Sequence, residues 1–535
     1  MTEVALAPDR SNATVLLHRH GDVFYATSPS CYHCGSMMKG AVSASGGRGG
    51  PATLSFVNDA TFDLKSGSPV RGPALDGIAT YRVEVVGDSV FAHIPSEVVD
   101  GKGDHQKPLL AKVRRSPRDR RVFVLVGGGP ASVAAAETLR REGYLGRILM
   151  ITDEPHLPYE RTVLSKKFNS DFAELQLRTA EHYKQLDVEI KHGTVVTKLD
   201  ASQKQVCFKA LGGEEETLTY DSVLVASGSS PRTITCPGST LKGVYNLRKQ
   251  EDVTKIAQHA RKGQKMIIVG GSFIGMEIAS TLRAKGCDVS IVAMESVPFE
   301  LVLGRQIGLA FARLLQKEGV SWYGGARVRN IRGKEELVNG VELEDGEVLP
   351  ADAIIVGVGA QPNTHFVNGV SLDKAGGILV GPLLCSADAP SLFAAGDVCV
   401  YPSEADGATM RSEHWNVAIQ QGRAAARNML SKSEPYSTLP FFTSQLFGKT
   451  LSFVGHAPDL NQVIVEGDVS AMEFVAYFFD KDDVKAVATV NKANTDSMAA
   501  ICAETMRRGH MPKVHEIMIG VVNAEVILQR LQALR

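Results

Sequence analysis

Three stretches of the 535-residue chain carry residues whose types and spacing could do chemistry. The first is Gly127-Gly128-Gly129-Pro130-Ala131-Ser132, which follows the apolar run Val122-Phe123-Val124-Leu125-Val126. Glycines there allow a tight turn in which no side chain blocks a phosphate. The Ala-rich run after Pro130 reads as a helix whose first N–H groups are free to hold an anion. A following strand, Ile148 to Thr152, delivers Asp153 and Glu154 where the acceptor for a ribose hydroxyl is expected. The second stretch, Gly270-Gly271-Ser272-Phe273-Ile274-Gly275-Met276-Glu277, repeats this layout between Lys265–Val269 and Asp288–Val292. The third, Cys31-Tyr32-His33-Cys34, puts thiols and an imidazole together, a set suited to a metal or an iron–sulfur cluster.

A lone glycine turn is also an ordinary way to join a strand to a helix. Two such units in one chain argue for two dinucleotides brought together, and hence for electron transfer between them. In the second unit Gly275 permits close helix–strand packing, while Ser272 stands where a middle glycine would let pyrophosphate approach more easily. Ala293 occupies the position of an adenine-ribose acceptor, and Glu295 follows two residues later. No Arg or Lys lies between Val292 and Val302 to receive a 2′-phosphate. NADH is therefore the expected nicotinamide and NADPH the alternative; Glu295 as a plain solvated charge is the bland reading.

The elements that position these residues need a large chain. Its length suits about three or four domains, and a hydrophobic fraction of 44% is ordinary for globular protein. A net charge of −1 gives no argument for nucleic acid as partner. No apolar run is long enough to span a bilayer. The first residues lack the pattern of a secretory signal, and early acidic residues argue against an organellar presequence. Eight scattered cysteines suit reduced thiols. A cytoplasmic location is expected, with mitochondrial association as the alternative.

Pro158-Tyr159-Glu160-Arg161-Thr162-Val163-Leu164-Ser165-Lys166 resembles the signature of ferredoxin-reductase-type flavoproteins, including the apoptosis-inducing-factor-like group of the pyridine nucleotide-disulfide oxidoreductases. The resemblance implies FAD, with Arg161 against its pyrophosphate and Lys166 near flavin N5, where a cation stabilises the electron-rich reduced ring. It implies a Lys166–Glu277 pair beside the nicotinamide. It also implies cofactor contacts from Val196, from Ala226-Ser227-Gly228 with Arg232 just beyond, and from Val358-Gly359. Gly396-Asp397 is similar to the family's second FAD signature, with Asp397 accepting from a ribityl hydroxyl at a helix N-terminus. His414 and Trp415 begin a helix that packs near the flavin in such proteins; Trp415 as a core anchor is the alternative. No cysteine stands between Arg121 and Ala201, so electrons are not expected to leave through a dithiol beside the flavin.

The N-terminal runs Thr14–His18, Gly21–Ala26, Tyr81–Val86 and Ser89–Ile94 read as a small all-β domain. Cys31-x-His33 resembles the first ligand loop of a Rieske domain, and Phe62-Asp63-Leu64-Lys65-Ser66-Gly67 the segment after the second loop. Counting back places Ser55 and Asn58 where Cys and His would complete a cluster that needs four ligands. A Rieske-like fold without its 2Fe–2S cluster is expected. Cys31 and Cys34 as a redox pair or weak zinc site stay open. The basic stretch Arg114, Arg115, Arg118, Arg120 and Arg121 reads as a solvated connector.

The expected fold is α/β, with two interleaved Rossmann-like domains for FAD and NAD, an N-terminal all-β Rieske-like domain and a C-terminal α+β domain. The division is 1–100, linker 101–120, FAD-binding 121–240, NAD(P)-binding 241–354, FAD-binding again 355–435, and a reductase or dimerisation domain 436–535. The C-terminal part resembles the family's domain that often touches the flavin and a second subunit, so a homodimer is implied. Thr443 replaces its usual Trp. The expected function is FAD-dependent NAD(P)H oxidoreduction to a ferredoxin-like protein, a quinone or oxygen. The alternatives are a redox-sensing interaction protein holding a slowly reoxidised FAD–NADH complex, and a flavoprotein with a dead nicotinamide site.

Overall fold

The computed structural model describes residues 2–5, 14–31, 44–45, 51–54, 59–99, 106–107, 114–168, 171–403, 407–492, 497–520, 526–527 and 529–530. Two five-stranded parallel sheets dominate it. The first runs Val188–Lys191, Arg147–Ile151, Val122–Val126, Ser222–Val225, Leu392–Ala394 in spatial order. The second runs Val244–Asn246, Ala353–Val356, Lys265–Val269, Asp288–Ala293, Val320–Gly324. Their central strands are β-branched and almost wholly buried, as parallel strands covered on both faces must be.

Leu392–Ala394 closes the first sheet beside Ser222–Val225, in parallel register Val223↔Leu392. The whole second sheet therefore lies between two strands that pair with each other, which makes the folds interleaved. The crossing points are stitched together: Ser229–Pro231 pairs antiparallel with Ala360–Pro362. The helix after the first glycine turn, Pro130–Arg141, packs on Trp415–Met429 so closely that a Cβ on Gly422 would sit 2.2 Å from the Ala131 carbonyl oxygen.

The C-terminal strands Phe441–Leu446, Lys449–Gly455, Val463–Asp468, Glu473–Asp480 and Asp483–Lys492 form an antiparallel sheet followed by helix Ser497–Arg507. Phe441–Leu446 has no clean alternation of apolar and polar residues, so the sequence alone does not mark it as a strand. The N-terminal strands Thr14–His20, Val23–Thr27, Thr80–Val86 and Ser89–His93 lie in one antiparallel sheet with Thr2–Ala5. The basic connector remains exposed, but it is pinned rather than loose: Arg115 pairs with Glu189 at 3.0 Å.

The N-terminal unit is held by charge. Arg178 bridges Asp76 (2.7 Å) and Glu137 (2.6 Å), and an Arg423 guanidinium N–H donates to the Ala74 carbonyl. On its other side Asp59 pairs with Arg507, and Arg71 with Glu504 at 3.0 Å. Burial alone would raise the Glu137 carboxyl, but a hydrogen bond from His182 and the Arg178 charge overcome it and hold the group at about 2. A carboxylate depressed on folding adds stability above its unfolded value, and loses it as pH falls through the folded one. We expect Glu137→Gln to lower stability at pH 7 by an amount on the order of 3 kcal/mol. Thermal unfolding midpoints of the variant should also depend less on pH between 4.5 and 2 than those of the wild type.

Candidate active site between the two glycine turns

At the first turn Gly127 has φ +113°, and a Cβ there would meet the Ala226 carbonyl oxygen at 2.2 Å. Only glycine fits. Gly129 faces open space and receives no side-chain cap, and Pro130 opens the helix without needing an N–H donor of its own. The first-turn N–H groups are thus available to an anion. Ala131 and Ser132 are buried, and the Ser132 hydroxyl and the Gln421 amide nitrogen have no hydrogen-bond partner. Buried polar atoms left over beside an uncapped helix are what a bound dinucleotide would satisfy. These residues fit FAD.

The two carboxylates after the strand differ. Asp153 is exposed and pairs with Lys249 at 2.9 Å. Glu154 is buried and takes a hydrogen bond from the Tyr159 hydroxyl (2.7 Å) and an ion pair from Arg161. Arg161 also donates to the Tyr159 oxygen and the Arg248 carbonyl, each at 3.1 Å. Its charge is therefore already answered by Glu154. The cation found beside Asp397 is Arg248, at 2.9 Å, with the Ser229 hydroxyl donating to the same oxygen at 2.7 Å. Sequence reasoning missed Arg248.

Val196 is buried within Thr194–Asp200, next to a bulge. Ala226 is buried, Ser227 donates to the Asn363 carbonyl at 2.6 Å, and Gly228 takes φ +69°. Arg232 lies exposed, its backbone N–H bonded to the Gly359 carbonyl at 2.9 Å. Gly396 adopts φ +74°, and its N–H donates to Gln421 Oε1 at 2.8 Å. Val358 is partly exposed, and Gly359, at φ +97°, opens onto free space.

The second turn repeats the first. A Cβ on Gly270 would meet the Gly357 carbonyl oxygen at 2.2 Å, and one on Gly275 the Gly270 oxygen at 2.5 Å. Helix Phe273–Ala284 has no side-chain cap; Ser272 is exposed and turns its hydroxyl to the Gly357 carbonyl at 3.2 Å. Ile274 is exposed beside it. Glu295 is half-buried past the strand end. A cation does reach this loop, from beyond Val302: Arg305 donates to Ser296 Oγ at 2.6 Å and lies 3.8 Å from Glu300.

Lys166 and Glu277 meet between the turns. Lys166 Nζ lies 2.9 Å from Glu277 Oε2 and 2.7 Å from the Thr162 carbonyl. Ser165 donates to the same carboxylate oxygen, and Ser444 donates to Oε1 at 2.7 Å. Ser165 belongs to the signature that ends at Lys166, where the sequence gives it no role of its own; nothing in the sequence points to Ser444. Trp415 packs with Leu75, Val133, Ala134, Leu177 and Ile419 where the N-terminal unit meets the first fold. His414 stacks on Phe442, ring centroids 4.5 Å apart.

Cys31 is buried among Leu16, Ala60, Phe62, Ala74 and Ile78. His33, Cys34, Ser55 and Asn58 lie outside the described residues. No cluster of potential metal ligands occurs among the described residues.

Two parallel sheets, each ending in a glycine turn at an uncapped helix, with an ion pair between them, define a two-dinucleotide oxidoreductase. A family model described as pyridine nucleotide-disulphide oxidoreductase matches residues 121–422, and the chain belongs to that family as an FAD-dependent NAD(P)H oxidoreductase. It is similar to human apoptosis-inducing factor 3, with 31% identity over 96% of this chain and 83% of that one. It is similar also to the rubredoxin-NAD(+) reductase of Pseudomonas putida, with 32% identity over 69% of this chain and 95% of that one. The solved covalent putidaredoxin reductase–putidaredoxin complex matches with a TM-score of 0.71 and 25% identity, over 78% of this chain and 100% of that one.

Burial pulls the His414 imidazole down to about 4, against the opposing charge of Asp397. The ring is therefore neutral at physiological pH. In a histidine-ring NMR titration of the flavin-free protein, the resonance lost in His414→Gln should show no protonation step between pH 5 and 8.

Proposed function

We propose that the chain passes electrons from NADH to a small one-electron carrier protein of the ferredoxin or rubredoxin kind. A quinone and oxygen are the lesser acceptors. The observation that carries this reading is the Lys166–Glu277 pair, set between the two glycine turns and braced by Ser165 and Ser444. Bound FAD supplies the chemistry, accepting the hydride of NADH and releasing its electrons to the carrier. On this reading Lys166 holds a positive charge at the flavin, Glu277 and the two serines fix its direction, and Asp397 and the first-turn N–H groups hold the cofactor. Glu154, buried at the strand end, is the better candidate than Asp153 for the ribose acceptor. Glu295, with Glu300 offsetting Arg305, favours NADH.

The absence of any cysteine from 121 to 206 supports an external acceptor over a dithiol beside the flavin. The names of the relatives, reductases of rubredoxin and partner of putidaredoxin, point the same way. We assign the N-terminal unit a Rieske-like fold without a cluster, the domain limits those given by the sequence, a homodimer as assembly and a cytoplasmic location. Among the described residues no helix is long and apolar enough to cross a membrane.

Anaerobic stopped-flow reduction by NADH tests the reading. The wild type should bleach rapidly and be reoxidised by ferredoxin or rubredoxin over many turnovers. Glu277→Gln should keep its flavin but reduce it slower by roughly 10- to 100-fold, the effect of a lost charge-assisted positioning contact. A reduced wild type that forms a long-lived charge-transfer band and never turns over with any carrier would instead favour the sensor.

A further inference from the structure

Helix Phe273–Ala284 starts at the second glycine turn and ends about 16 Å further on. Its last turn, with Lys285 beyond, forms one wall of a cleft of about 660 Å³. The segment Lys166 to Phe168 forms a second wall, and the hairpin turn between Phe441–Leu446 and Lys449–Gly455 a third. Of the residues read here as cofactor contacts, only Lys166 also borders this cleft.

Its charge is one-sided. Its lining holds four lysines, Lys166, Lys167, Lys285 and Lys449, and one carboxylate, the exposed Glu174; the Lys166 charge is shared with Glu277. Lys449 is tied to the Ala471 carbonyl (2.8 Å) and lies 3.5 Å from Glu473. Lys167 and Lys285 make no ion pair among the described residues. Lysines on an open convex face would be plainly solvated. Lysines lining a concavity with protein walls concentrate a positive potential there. Ser280, Thr281 and Thr450 add hydroxyls to the lining.

We propose that this cleft binds a small anion bearing two or more phosphoryl groups, and that its occupancy is felt at the Glu277 carboxylate. The link is Lys166, whose ammonium lies 2.9 Å from Glu277 while the residue borders the cleft. An anion attracting Lys166 weakens its hold on Glu277, and by linkage the state of the dinucleotide site alters affinity for the anion. The coupling rests on the function proposed above; the binding does not.

Calorimetric titration of the FAD-loaded enzyme with inorganic pyrophosphate tests the binding. Saturable binding is expected, weakened about tenfold for each of Lys167→Ala and Lys285→Ala as a charged hydrogen bond is lost. Both variants should retain the flavin spectrum and the wild-type affinity for NADH. No binding, or equal binding by wild type and double variant, overturns the site, the latter because the anion would then be in a dinucleotide groove. In the same samples saturating pyrophosphate should change the rate of flavin reduction by NADH in the wild type and not in the double variant. Intact binding with an unchanged wild-type rate overturns the coupling.

Discussion

The carboxylate of Glu277 is the constraint around which the molecule is arranged. It is nearly buried, and both of its oxygens are used. Ser165 and Lys166 come from the segment after the first nucleotide unit, Glu277 from the first helix of the second, and Ser444 from the C-terminal sheet. A buried charge costs several kcal/mol unless its partners are all in place. A rotation of any one of the three parts would strand it. Its value is therefore orientation more than net stability, and the two glycine turns are held at one relative setting by the chain's own electrostatics.

The N-terminal unit is fixed by the same kind of contact. Asp59, Ala74 and Asp76 all lie in its 59–78 segment, and they meet Arg507, Arg423 and Arg178 from two different parts of the chain. Leu75 inserts among Val133, Ala134 and Ile419 between those contacts. A domain that carried electrons by swinging would have to break buried ion pairs on two sides at every turnover. These contacts suit a fixed wall over the first fold.

Local pattern makes most of the strands and both glycine turns legible in the amino-acid sequence. Apolar β-branched runs such as Val122–Val126 and Lys265–Val269 have few other fates, and a turn such as Gly127 has one residue type that fits. The missed residues share a physical reason. Ser444 reaches Glu277 across 167 positions, and Arg248 reaches Asp397 across 149. Nothing local marks a serine or arginine for such a partner. Arg305 reaches the loop from the helix Glu300–Lys317, which turns back onto Ser296, so nearness along the chain to Val292 does not reveal it. Asp153 and Glu154 could be separated only by burial, because neighbouring residues past a strand end point in different directions.

The C-terminal sheet shows how a single strand divides its work. Thr443 follows Phe442 in the strand Phe441–Leu446. The two are not interchangeable, since adjacent strand residues face opposite ways. Phe442 stacks on His414 and meets Phe273 edge-on at 4.7 Å, and Ser444, two residues along, points the same way to Glu277. Thr443 faces the other side, 3.3 Å from the Ser452 hydroxyl. On the opposite face Phe441 packs with Val454 and Tyr477 in the core of the C-terminal sheet. A ring at position 443 could not come from shifting Phe442 by one residue, because the same shift would withdraw Ser444 from the buried carboxylate.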